Sequence, residues 1–469
     1  MMRSMFSAVS GLSTHQARMD VIGNNIANVN TVGFKSSRAT FAETFNQTLR
    51  GASAAGQGRG GTNPMQIGLG VNLATIEVNH TRGAVERTDI MTDLMINGDG
   101  FFIVSDDPNF SNRYYTRAGN FIVDEAGNLL TPDGYRVLGY NIDPDSIGQE
   151  NPVYESELKG LVIPKDQVFP PKGTGKSYDY QEGEFPDFGE DDVGVWFGGN
   201  LDANCKIFEQ YDDGSGTTST TLEDGQELSR IEPQEAIARD TTFTVFDELG
   251  GRHQVRIAFI KTAPNVWNVC VIDDEGKIQG DPHEIEFDSS TGKLINGDTL
   301  DLEVYADETA DPALKLPNGA TPFKFRIDLS EITQFENTSD ASAKSIVGYQ
   351  SGRFESFSIG SDGVIMIRYS NGMDAPAGRI SLAKFANPSG LLKTQGNLFI
   401  ESPNSGIPTI GKPMESGFAD LSPGSLEMSN VDLAREFTSM ITTQRGFQAN
   451  SKIITTTDEM LQELVNMKR

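Results

Sequence analysis

Apolar side chains recur every seven residues at the two ends of the chain, and clearly only there. Near the start the column is Met5, Leu12, Met19 and Ile26, flanked by Val9, Ile22 and Val29. Near the finish it is Leu433, Met440, Phe447, Ile454 and Leu461, flanked by Phe437, Leu464 and Val465. A sustained seven-residue apolar repeat marks a helix whose stripe is buried against a partner helix. Ser429 and Asn430, ahead of Asp432 and Leu433, offer an N-cap for the second helix. Gln16 and Gln444 are expected to interrupt the second column of each seam, where a polar residue fixes register at some cost in stability. Two such helices can pack on the body of their own chain. Both ends are rich in Asn, Thr, Ser and Gln, however, which points to a marginal pair that needs further partners.

Between the ends the pattern is β. Asn97-Gly98-Asp99-Gly100 precedes Phe101–Val104, and Asp124–Asn128 and Pro132-Asp133-Gly134 follow as turns. The same texture returns at 346–400, with Ser361-Asp362-Gly363 and Ser370-Asn371-Gly372 as hairpin turns. The stretch between is acidic: residues 161–344 hold 37 acidic and 15 basic side chains, which is −22 of the chain's −28. Within it, Thr242–Phe246 and Gln254–Ile260 alternate as sandwich strands do. The expected fold class is therefore mainly β with terminal α-helices, arranged as nested domains. Residues 1–64 with 403–469 form a helical terminal domain with linker segments, 65–160 with 345–402 a split β domain, and 161–344 an inserted acidic, sandwich-like β domain. Gly51–Pro64 reads as an unstructured linker.

Several function classes find no support. Binding nucleic acid or an anionic membrane needs Lys and Arg to neutralise phosphates, and the midsection carries the opposite charge. No run of eighteen apolar residues exists to span a membrane, and Met1–Phe6 has neither the apolar core nor the cleavage site of a secretory signal. His15, His80, His253 and His283 are scattered without metal-ligand spacing. Gly173–Ser177 imitates the end of a phosphate loop but has Pro170 where the loop needs glycine, and Gly56–Gly61 follows no strand. The acidic turns at Glu190–Asp192 and Asp212–Gly214 lack the alternating ligands of a calcium loop. Cys205 and Cys270 favour two free thiols over a bridge. We expect no catalytic, metal or cofactor site, and a structural protein rather than an enzyme.

Short motifs at the ends are far more specific than their periodicity. Asp20–Lys35, containing Asn24, Asn25, Asn28, Asn30, Gly33, Phe34 and Lys35, resembles the signature of the flagellar axial proteins, the family of rod, hook and hook-associated subunits. Gly424–Leu433, with Asn430 and Asp432, leads to Thr443–Asn450, with Gln444, Arg445 and Asn450. That run is similar to the same family's terminal helix. Tyr115–Phe121 and Gly134–Tyr140 resemble the family's hook and distal-rod core.

The resemblance implies a subunit that polymerises with itself into a tube, its terminal helices inside around an export channel and its β domains outward. The polymerisation faces are then Met5, Val9, Leu12, Met19, Ile22, Ile26, Leu433, Phe437, Met440, Phe447, Ile454 and Leu461. It implies an extracellular site in the hook and basal body, and export by the flagellar type III apparatus without a cleaved signal. Implied partners are the distal rod, hook cap and hook–filament junction proteins. The long insertion favours a hook subunit, a flexible joint that transmits torque, over a distal rod subunit. A secreted adhesin or hydrolase is the alternative of a different class. Some spirochaete members are joined between subunits through a cysteine and a lysine, which leaves Cys205, just after Gly199–Asp202, open to such a bond.

Overall fold

The computed structural model describes residues 2–54, 60–143, 146, 152–177, 192–212, 218–273, 275–304, 316, 318–415 and 417–467. Glu190–Asp191, Asp213–Gly214 and residues 56–59 of the glycine-rich run lie outside the described residues. The chain is mainly β, with one long helix near each end, α1 (Met2–Ala27) and α2 (Leu433–Met467). It divides into two compact units: residues 1–165, 356–368 and 374–469, and residues 166–355 and 369–373.

In the first unit α1 packs against α2 and against a hairpin in which Ser37–Glu43 pairs antiparallel with Val71–Val78. The hairpin continues as a ribbon, Asn46–Arg50 against Met65–Gly68, and Ser53 bridges Thr62 beyond it. The described part of the expected linker is thus hydrogen-bonded chain. Alternation drives the main sheet of this unit, whose strands come from both sides of the acidic stretch. Arg136–Asn141 pairs through Val137 with Val104, and through Gly139 with Ile380. Phe101, Ile103, Tyr115, Leu138, Ala383, Phe385 and Phe399 form a core beneath it, with Tyr115 edge-on to Phe385 at 4.8 Å. Aromatic rings prefer such edge contacts because the positive rim of one meets the negative face of the other. The expected turn at Ser361–Gly363 forms, Gly363 taking φ +77°, where a Cβ would be strained.

The Gly/Pro-rich return after 403 differs from expectation. Thr409–Gly411 pairs with Leu382–Lys384, and Leu421–Pro423 with Leu94–Ile96, so this segment is pinned into sheets and is not a loose connection.

The second unit contains two five-stranded sheets. In one, Val193–Asp202 runs parallel to Phe323–Phe335 and antiparallel to Ser342–Ile346. The other is an antiparallel meander of Ile237–Phe246, Arg252–Ala263, Val266–Ile272, Ile278–Phe287 and Leu294–Asn296. Phe197 and Phe325 of the first meet Phe243, Phe259 and Trp267 of the second in one buried cluster. Trp267 keeps its indole N–H satisfied by donating to Gln334 Oε1 at 3.1 Å. A buried polar group without such a partner would cost about 1–3 kcal/mol. Lys176 and Ser177, the end of the apparent phosphate loop, form a short strand against Phe323 and Lys324.

Candidate assembly surface

Two features distinguish the first unit: the helix pair, and a buried charge cluster where the helices enter the β region. Asp432, rather than Ser429 or Asn430, caps α2, its Oδ1 accepting from the backbone N–H of Ala434 at 3.0 Å and Arg435 at 3.3 Å. Asn430 serves as a tether. Its Oδ1 accepts from Ser36 N–H at 2.8 Å and its amide donates to the Asn79 and Thr81 carbonyls.

The helices run antiparallel and touch at small residues. A Cβ on Gly11 would lie 2.7 Å from Asn450 Nδ2, and one on Gly446 would lie 2.8 Å from the His15 ring. Along α2 the less exposed residues are Glu436, Met440, Thr443, Phe447, Asn450, Ile454, Thr457 and Leu461, alternating in steps of four and three. One column, Met440 to Leu461, is the apolar one read from the sequence. The other is polar, and Thr443 and Thr457 are its buried members. Along α1 the buried line is Ala8, Gly11, Thr14, Ile22 and Asn25, while Met5, Leu12, Met19 and Ile26 are half-buried beside it. Gln16 and Gln444 are both exposed, so the expectation that they break the seam is corrected. They sit next to columns occupied by smaller side chains, which let the helices approach closely.

Other apolar side chains face outward. Met2, Phe6 and Val9 on α1 are each about half exposed or more, as are Phe437 and Ile441 on α2; Leu433, Ile453, Met460, Leu464 and Val465 are also exposed. At 1.5 Å per residue α2 is about 13 Å longer than α1, which leaves Met460 to Met467 as an apolar overhang.

The signature asparagines divide by role. Asn25, 1% exposed, pairs with the Ser37 backbone through both amide atoms, at 2.8 and 2.9 Å, and so docks α1 onto the hairpin as a strand neighbour would. Asn28 donates to the Asn24 carbonyl at 2.9 Å and closes the end of α1. Asn24 and Asn30 are exposed, as is Arg445. Gly33 takes φ +67°, and a Cβ there would lie 2.6 Å from Ala118 N, so the chain passes the β region at a distance only glycine permits. Phe34 is buried with the Lys393 ammonium 4.0 Å from its ring centre.

Lys35 is fully buried. Its ammonium donates to Glu427 Oε1 at 2.7 Å and to the Thr81 carbonyl at 2.8 Å. Glu427, 1% exposed, also accepts from Gly83 N–H at 2.9 Å and from Arg117 Nη1 at 3.4 Å, and its carbonyl accepts from Gly33 N–H at 2.7 Å. Burial pushes the Glu427 carboxyl upward, but the hydrogen bond and charge of Lys35 and the charge of Arg117 outweigh it and hold the group below the ordinary glutamate value. Burial draws Lys35 and Arg117 below their ordinary values against the pull of Glu427. His80 packs 5.7 Å from the Phe101 ring and 5.5 Å from Phe399. Its burial, with the cations of Lys35, Arg117 and Lys393 beside it, pushes it down to about 4. Sequence reading finds Lys35 but misses Glu427, Arg117 and Thr81, because the partners are 46 to 392 residues apart.

Cys205 and Cys270 are free thiols within the chain. Among the described residues no helix is long and apolar enough to cross a membrane.

Paired terminal helices joined to β units define the axial subunits of the bacterial flagellum. The sequence matches the families described as flagella basal body rod protein over 5–35, flagellar hook protein FlgE/F/G D1 domain over 95–168, flagellar basal body protein FlaE D2 domain over 215–349, and flagellar basal body rod FlgEFG protein C-terminal over 422–467. It is 36% identical to the flagellar hook protein FlgE of Borreliella burgdorferi and 35% identical to that of Treponema pallidum, with all of each chain covered. The basal-body rod protein FlgG of Bacillus subtilis is 30% identical, again over all of both chains. The chain belongs to the flagellar hook protein family and is a structural subunit of the flagellar hook.

Proposed function

We propose that the chain polymerises through the outer faces of α1 and α2 into a flexible helical tube that carries torque from rod to filament. In this reading the helix pairs of many copies line an export channel, the split β domain lies around them, and residues 161–344 are outermost. The observation that carries it is the apolar residues left outward on both helices, Phe6 and Val9 on α1 and Phe437 and Ile441 on α2. Surfaces of this kind mark protein contacts. A surface that meets a different surface on the next copy gives a contact that extends without closing.

The acidic charge of 161–344 fits an outward, solvated position, because like charges on neighbouring copies repel when brought together. The implied partners at the ends of the tube are the distal rod, hook cap and hook–filament junction proteins. Delivery by the flagellar type III export apparatus, to an extracellular site and without a cleaved signal, completes the reading.

Removal of residues 1–30 and 430–469 tests it. The shortened chain should keep its β spectrum and sediment as a monomer at concentrations where the full chain assembles. Assembly of the shortened chain at the same concentration would end the proposal.

A further inference from the structure

We propose that Glu427 is the positioning residue that fixes how the two terminal helices leave the β region, and that acid releases this fixing point before the β sheets unfold. The inference rests on the reading of the helix pair as the polymerising element.

Four segments end on this one side chain and its carbonyl. Gly33 and Lys35 arrive from the end of α1, Gly83 from the 79–83 loop, and Arg117 from the end of strand Tyr114–Thr116. Glu427 itself closes strand Ser425–Glu427, which pairs with Val85–Arg87, and lies five residues before the Asp432 cap of α2. Both helices are therefore referred to the same carboxylate. Few other ties perform this task; Asn430 holds the 79–81 loop and Asn25 holds the hairpin.

The charges around it leave the cluster dependent on that carboxylate. Lys35, Arg117, Arg82 and Lys393 bring positive charge from four segments; Asp99 faces Arg117, but the buried bonds run to Glu427. Arg117 Nε is buried without an acceptor among the described residues. Neutralising Glu427 would leave these cations facing each other at low dielectric, where an unpaired buried charge is costly.

Acid acts in one direction on both titrating groups. His80 lies near 4 in the closed state against an ordinary 6.5. An opened cluster therefore takes up a proton as pH falls below about 6.5, and the closed one does so only near 4, so closure weakens across that window. The lowered Glu427 carboxyl adds a stabilisation that is present above the ordinary glutamate range and lost as pH falls through its folded value.

Hydrogen-exchange protection of the Gly33 and Gly83 amides, in the full-length unassembled chain, reads the cluster directly, because each donates to Glu427. Between pH 6.5 and 4 their protection should fall tenfold or more while that of Ile103 and Tyr115 holds. In Glu427→Gln it should be low throughout. In His80→Phe, which keeps an aromatic ring among Phe101 and Phe399, the fall between pH 6.5 and 4 should disappear. Wild-type protection in Glu427→Gln, or an unchanged pH profile in His80→Phe, would overturn the proposal; the second variant decides if the first does not fold. These readings are made on monomer, so they can fail while the helix faces still polymerise, and hold even if the faces do not.

Discussion

Gly446 stands against the imidazole of His15 so closely that a Cβ would lie 2.8 Å from the ring, and this contact sets the spacing of the two terminal helices. Gly446→Leu should force them apart, at a cost of about 1–3 kcal/mol for overpacking, and lower their helical signal in circular dichroism. Gly23→Ala is the control. Nothing lies within 4 Å of a Cβ there, so the substitution should strengthen α1 by about 0.5–1 kcal/mol through helix propensity alone.

Asp432→Ala should fray the start of α2, because the first backbone donors lose their acceptor. The expected cost is about 1 kcal/mol, read as faster exchange of the Ala434 and Arg435 amides. Asn430→Ala should leave those two amides unchanged and loosen Ser36, to which Asn430 is bonded.

The helices, their direction and one apolar column of each were legible in the sequence because a seven-residue repeat is a local signal. The second column was not. Its members on α2 are Glu436, Thr443, Asn450 and Thr457, chosen for small size or polarity rather than for hydropathy. Leu433, Phe437 and Val9, which the repeat places beside the seam, are exposed within one chain. A pattern of hydropathy shows that a face is buried and does not show by which copy. The Glu427 cluster was hidden for another reason. A lone Glu in a strand and a lone Arg after one carry no periodic signal, and their meeting depends on sheet pairing across 310 residues. Gly51–Pro64 misled because glycine-rich chain reads as coil, although backbone pairing such as Ser53 with Thr62 asks nothing of the side chains.

The two cysteines should differ in reactivity. Burial pushes the Cys270 thiol up to about 12, leaving almost no thiolate at neutral pH. Burial also raises Cys205, but that thiol is only partly covered and donates to the Glu235 carbonyl. Iodoacetamide at pH 8 should label Cys205 slowly in the folded chain and reach Cys270 only after unfolding, as mass spectrometry of the digested protein would report. Equal labelling of both in the native chain would mean that the Cys270 site opens.

Electron microscopy of the purified, concentrated protein tests the central claim most directly, with wild type set beside a Phe6→Asp, Phe437→Asp double variant. Both positions are exposed in the single chain, at 62% and 50%, so the variant should fold and melt as wild type does. Burying either carboxylate against a neighbouring copy would cost several kcal/mol. We predict curved tubes from the wild type and none from the variant. Tubes of normal width and curvature from the variant would contradict assembly through the outer faces of the terminal helices.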